Sequence, residues 1–284
     1  MKTKVIDLII ILLIYIGAFA IGYLSMMWVT STILRFAFAD AVATVVIYIV
    51  SLFFKNSSLY DPYWSFTPWV IATVFLIKYG NYSLTNIILY AAITFWSWRL
   101  TINWILNFTD FSYEDWRYKK FRTENKPFMF QIINFTGIMM VPTIWVYTGL
   151  VPALVLLKTT GENWLSLIGS AIIFAGTILE IIADVDMRNF LKTTKEKVTC
   201  QHGLWKYSRH PNYLGENMVW FGIYVALVVT IPSMWWLCVG TVIMILLFEF
   251  VSIPLMENRQ KSRRSDYVDY IKHTQRMLIL PRRK

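Results

Sequence analysis

Residues 202–222 read H-G-L-W-K-Y-S-R-H-P-N-Y-L-G-E-N-M-V-W-F-G, and they carry the chain from water into a membrane. A cationic loop precedes them, and a long apolar segment follows. Arg209 and His210 therefore stand at the boundary. Pro211 suits a first helical position, because its missing N–H would have no partner there. The spacing predicts a helix from Pro211 whose partly positive end faces the loop. Such an end attracts phosphate, and Arg209 and His210 reinforce it. Asn212 and Glu216 are four apart and share one helix face. An amide and a carboxylate at the mouth of a membrane helix are costly unless they bind something. A solvated interfacial cap accounts for any one of these residues. A cation, an imidazole, a helix start, an amide and a carboxylate within eight positions point to a site.

Working outward, the 284 residues are 57% hydrophobic and only 15% charged, against roughly 25% charged in soluble domains. Several apolar runs reach about 20 residues, the length that crosses a bilayer as a helix. The expected fold is all-α: a polytopic helical membrane protein of seven to eight spans, forming one integral membrane domain over 1–284. Candidate spans are 5–29, 33–54, 66–79, 84–106, 128–157, 163–183, 212–231 and 234–256. The runs are continuous rather than alternating, which excludes a transmembrane barrel. The fifth is interrupted by Pro142 and Pro152 and is expected to kink. The first run is too long for a cleavable signal, so none is expected.

Charge sets the orientation. With the N-terminus inside, most of the 27 Lys and Arg fall in inside segments, above all 117–126, 188–209 and 259–284. Both termini and the 202–209 loop are expected in the cytosol, where a soluble cofactor would be met. The net charge of +10 would suggest nucleic acid in a soluble chain. Here it reflects membrane orientation and anionic phosphates, and no nucleic-acid partner is expected. Cys200 and Cys238 form no metal-like pattern, and no metal site is expected.

Polar residues inside or beside the spans complete the candidate set. Asp61-Pro62-Tyr63-Trp64-Ser65 lies before the third span, either as a helix boundary or with Asp61 and Tyr63 at the mouth of a lipid-facing pocket. Arg99, Asn103 and Asn107 form one stripe on the fourth span; Arg99 either snorkels or faces a wet cavity. Glu180, Asp184 and Arg188 repeat that spacing on the sixth span, with Asp184 and Arg188 suited to an i, i+4 ion pair. Glu249 is a lone carboxylate late in the eighth span, with no role assigned.

The motif G-L-W-K-Y-S-R-H-P-N-Y-L-G-E-N-x-x-W-x-G resembles the C-terminal domain of the steroid 5α-reductase family, in particular its bacterial DUF1295-type branch. D-P-Y-W-S, W-R-L-T-x-N, L-E-x-x-A-D and the tail from Pro254 to Pro281 are similar to the same branch, so the resemblance spans about 60–281. Asp186 departs from the pattern, which often has glutamine there. A shorter piece, R-H-P-x-Y-x-G, is also similar to isoprenylcysteine carboxyl methyltransferases and phospholipid methyltransferases.

The first resemblance implies an NADPH-dependent reductase of a C=C bond conjugated to a carbonyl, acting on a lipid, steroid or isoprenoid taken from the bilayer. Hydride attack at the β-carbon builds charge on the carbonyl oxygen, so a donor must face that oxygen; the cofactor supplies the hydride. By resemblance, Asn212 and Glu216 face the nicotinamide end, and Arg209 and His210 the phosphates. Arg99, Asn103, Glu180, Asp184, Arg188, Tyr207, Tyr213, Arg259 and Tyr267 complete the cofactor set. The resemblance also implies a tyrosine where Trp96 stands, so Asp61 or Tyr63 is the candidate acid, and Glu216 completes the candidate catalytic set. There is no G-x-G-x-x-G after a strand, which excludes a Rossmann site. The alternatives are an S-adenosylmethionine-dependent methyltransferase and an inactive protein that binds lipid or nucleotide. The methyltransferase pattern has two glutamates after the last span; here there is Glu257, then Asn258 and Arg259. The membrane is expected to be a bacterial inner membrane or the endoplasmic reticulum.

Overall fold

The computed structural model describes residues 2–194 and 196–282. They form helices: α1 (Lys2–Ser25), α2 (Thr32–Phe54), α3 (Asp61–Tyr79), α4 (Leu84–Asn107), α5 (Trp116–Glu124), α6 (Pro127–Ile132), α7 (Val141–Lys158), α8 (Ser166–Thr193), α9 (Pro211–Thr230), α10 (Val239–Leu247), α11 (Ile253–Arg263) and α12 (Tyr267–His273). Among the described residues there is no strand, only an isolated parallel bridge between Ser208 and Gln275. Six segments are long and apolar enough to cross a membrane: Lys4–Trp28, Thr32–Phe54, Pro127–Lys158, Ser166–Thr193, Pro211–Thr230 and Pro232–Arg263. The chain is thus a polytopic helical membrane protein. α3 and α4 occupy the two other expected positions.

Two spans carry a π segment, each just before a proline. Ile133–Met140 is π-helical and leads into Val141-Pro142; Phe248–Ser252 is π-helical and leads into Ile253-Pro254. A proline ring clashes with the carbonyl four residues back and offers it no N–H. Widening to i→i+5 bonding just upstream shifts the ladder past that carbonyl. At Pro142 the expected kink of the fifth span takes the form of a π segment, whereas Pro152 sits inside regular α-helix.

Helix ends follow local chemistry. Lys55 at φ 50° closes α2 in the left-handed region. Asn56 then accepts from Ser58 N–H at 2.8 Å and caps the turn Ser57–Tyr60. The Asp115 side chain accepts from Arg117 N–H at 2.8 Å and starts α5. α9 begins at Pro211, with His210 as its cap residue.

The chain divides into two compact units: Met1–Ser83 with Ser97–Gly161, and Leu84–Trp96 with Glu162–Lys284. The first holds α1–α3 and α5–α7 around a core that includes Tyr15, Ile47, Tyr60, Tyr63 and Met139. The second is organised on α8 against α9. A Cβ on Gly176 would stand 2.6 Å from Gly215 O, and one on Gly222 would stand 2.7 Å from Gly169 O. Glycine seven residues apart on each helix lets the two backbones touch, as in membrane helix pairs generally. That contact sets Glu180 of α8 over Gly215.

Candidate functional site

In the second unit, the start of α9 meets α8, α11, α12 and the 199–210 loop around a cavity of about 270 Å³. Five residues expected at a cofactor line it: Arg209, His210, Asn212, Tyr213 and Tyr267. The sequence reading did not include Cys200, Trp205, Gln260, Arg264 and Tyr270, which line it too.

Arg209 and His210 are held from below. Arg209 Nε donates to Glu257 Oε1 at 2.8 Å, and its Nη1 to the carbonyls of Thr274 (2.6 Å) and Ile271 (3.2 Å). His210 Nε2 lies 3.2 Å from the same Glu257 oxygen, and its ring stacks on Tyr213 at 5.4 Å. Burial holds the His210 imidazole below its ordinary pKa, against the opposing pull of Glu257. Glu257 is therefore the keystone of the motif loop, a role that no spacing rule exposes.

The C-terminal segment clamps that loop. Arg209 N–H donates to Gln275 O at 2.9 Å, Ser208 Oγ to Met277 O at 2.6 Å, and Tyr270 O–H to Trp205 O at 2.5 Å. Thr199 is held to Asp266 through its N–H and its hydroxyl, both at 2.8 Å. With Arg209 so engaged, the half-buried Arg264 is the cation on the cavity wall whose guanidinium makes no hydrogen bond or ion pair among the described residues.

The other expected residues lie as follows. Glu216 is 5% exposed and accepts from two indoles, Trp96 Nε1 at 3.0 Å and Trp220 Nε1 at 2.9 Å. The tryptophan at the expected tyrosine position is thus a partner of Glu216. Glu180 is buried on α8, with Asp184 and Arg188 one and two turns further along, partly exposed. Asp186 Oδ2 accepts from Leu204 N–H at 3.0 Å and lies against Gly203, whose φ of 54° shapes the turn Gly203–Lys206. Tyr207 is exposed, with Lys206 Nζ 5.7 Å from its ring. Arg259 is on α11, partly exposed.

In the first unit, Arg99 and Asn103 are partly exposed on the last turns of α4. Asp61 and Tyr63 each belong to a phenol–carboxylate pair. Tyr118 O–H donates to Asp61 Oδ1 at 2.7 Å. Tyr63 O–H donates to Asp40 Oδ1, also at 2.7 Å. Asp40, buried in α2, has Thr44 one turn along as its polar neighbour and no charged residue at helical spacing that would have flagged it.

Fold and site together define a helical membrane protein with a tyrosine- and arginine-lined cleft beside its motif loop. The chain belongs to the family described as "Protein of unknown function (DUF1295)", whose model matches residues 47–275. It is 24% identical over 208 residues to an uncharacterized protein of Schizosaccharomyces pombe, a match covering 62% of this chain and 59% of that protein. No solved structure matches the chain.

Proposed function

We propose that the protein is a membrane-embedded, NADPH-dependent reductase of a C=C bond conjugated to a carbonyl, acting on a lipophilic substrate drawn from the bilayer. The observation that carries this reading is the cavity beside α9. Five residues that the steroid 5α-reductase resemblance assigns to the cofactor line it together. Their chemistry suits the nucleotide end of NADPH. Arg264 offers a guanidinium to phosphate, Asn212 an amide, and Trp205, Tyr267 and Tyr270 offer faces to an adenine. About 270 Å³ is close to the lower end of ligand sites, roughly 300 Å³, and suits part of a dinucleotide.

When bound, NADPH supplies the hydride. The protein must then present an O–H to the carbonyl oxygen as charge develops there. The candidate acids of the sequence, Asp61 and Tyr63, are each held in a phenol–carboxylate hydrogen bond of 2.7 Å. Tyr63, 1% exposed and ringed by Tyr15, Phe19 and Tyr60, has its hydroxyl committed to Asp40. The basic loops would face the cytosol, where NADPH is found. The test is NADPH oxidation by the purified protein against a panel of enone isoprenoids and steroids. Substrate-dependent oxidation that falls at least 100-fold in Asn212→Ala supports the reading; none with any member contradicts it.

A further inference from the structure

Helices α1, α2 and α3 line a second, half-open cavity of about 80 Å³ within the first unit. Phe19, Met26, Phe36, Val70 and Val74 make most of its wall apolar. Tyr23 and Thr67 are polar, and Asp40 is the ionisable carboxyl group on the wall. It lies about 12 Å along α2 from Thr32, at 1.5 Å per residue, in a segment apolar enough to span a membrane. It is 5% exposed. Carboxyl groups at such depth are expensive and mark functional sites by default.

The surroundings of Asp40 are defined on one side only. Tyr63 O–H donates to its Oδ1 at 2.7 Å and lies 3.2 Å from its backbone carbonyl. The Tyr63 ring is fixed by stacking on Phe19 at 5.6 Å and by an edge contact with Tyr15 at 5.7 Å. Among the described residues Asp40 has no ion-pair partner. A carboxyl group has acceptor capacity on both oxygens, and one Tyr hydroxyl does not exhaust it. Thr67, also on the wall, turns its hydroxyl to Tyr63 O at 2.7 Å. The close approach of α1 to α2, where a Cβ on Gly22 would stand 2.5 Å from Ala39 O, helps fix the cavity's shape. Tyr23, at its rim, is 45% exposed on a membrane helix.

We propose that this cavity binds a lipophilic molecule that presents a hydrogen-bond donor, an ammonium or a hydroxyl, to Asp40, with its apolar body against Phe19, Phe36, Val70 and Val74. Acceptor-only molecules such as ethers gain nothing from a carboxylate that already accepts from Tyr63. The ligand's donor would complete the acceptor capacity of Asp40, and its hydrocarbon would match the walls. The site is distinct from the nucleotide reading of the cleft beside α9 and stands whether or not that reading does.

The test uses the full chain in detergent with three probes of similar apolar size: hexylamine, hexan-1-ol and methyl pentyl ether. Each is assayed by its shift of the thermal unfolding midpoint and by protection against a photoreactive alkylamine, with labelled peptides mapped by mass spectrometry. The amine, the alcohol or both should raise the midpoint and protect peptides of α1–α3, and the ether should do neither. A response to the amine alone makes the ligand head an ammonium, and a response to both admits a lipid alcohol. Asp40→Asn should weaken the donor response at least tenfold. Val74→Phe, which fills the cavity and leaves Asp40 and Tyr63 in place, should abolish it even if Asp40→Asn fails to fold. Equal responses to ether and donor probes, an undiminished response in Val74→Phe, or labelling confined to other helices would overturn the site.

Discussion

Trp96 donates its indole N–H to the Glu216 carboxylate at 3.0 Å, and Trp220 reaches the other oxygen of that carboxylate at 2.9 Å. The two rings meet edge to face at 5.1 Å. Glu216 is therefore held as an acceptor by α4 and by its own helix. Trp96→Phe keeps an aromatic ring but loses part of its volume, and it removes one N–H from a buried acceptor, which alone costs about 1–3 kcal/mol. The expected result is a lower unfolding midpoint in detergent for Trp96→Phe, and for Glu216→Gln, whose amide N–H₂ must face one indole donor. Wild-type midpoints in both variants would remove the clamp from the account.

Arg209 and Glu257 are both nearly buried, at 9% and 11% side-chain exposure, and are 2.8 Å apart. Removing one member of such a pair strands the other, at a cost of about 3–5 kcal/mol. Arg209→Ala and Glu257→Ala should therefore destabilise the motif loop, seen as faster amide exchange over 199–210 and 274–277. If Arg209→Ala leaves exchange unchanged and weakens only nucleotide binding, the guanidinium serves the ligand directly.

Arg264 makes the complementary prediction. A charge-assisted contact of about 1.5–3 kcal/mol to a 2′-phosphate corresponds to roughly a ten- to hundredfold preference for NADPH over NADH. Arg264→Ala should erase most of that preference without lowering the unfolding midpoint of the ligand-free protein. A preference that survives would place the 2′-phosphate elsewhere.

His210 gives a pH dependence. Burial holds its folded-state pKa below the ordinary value of 6.5, while Glu257 opposes that shift and Arg209 and Arg276 add to it. A base whose folded pKa is depressed binds fewer protons folded than unfolded. Its contribution is thus fully present above about pH 6.5 and is lost as pH falls through the folded pKa. The midpoint should drop between pH 7.5 and 5.5 more steeply in wild type than in His210→Gln. Parallel curves would mean that the folded-state pKa of His210 is not shifted from its unfolded value.

Much of the architecture was legible because membranes permit few solutions. Continuous apolar runs gave helices at all eight expected positions, and Pro211 marked the start of α9. What stayed hidden depended on contacts between residues distant in sequence. Arg209 is distinguished from Arg264 only by the return of Glu257, Ile271 and Thr274 to the motif loop. Asp40 finds Tyr63 across helices, 23 residues away. Asp186, off-pattern in the resemblance, is explained locally by the turn at Gly203. π segments precede Pro142 and Pro254 but not Pro68 or Pro152, so proline alone did not mark them.

The most direct test of the central claim is a cofactor competition on the detergent-purified protein. Thermal midpoints would be recorded with excess NADPH, NADH and S-adenosylmethionine, since a ligand that binds only the folded state must raise stability. The account predicts a shift with NADPH that exceeds the shift with NADH and is reduced in Arg264→Ala. A shift with S-adenosylmethionine and none with NADPH would contradict it and make the cleft beside α9 a methyl-donor site.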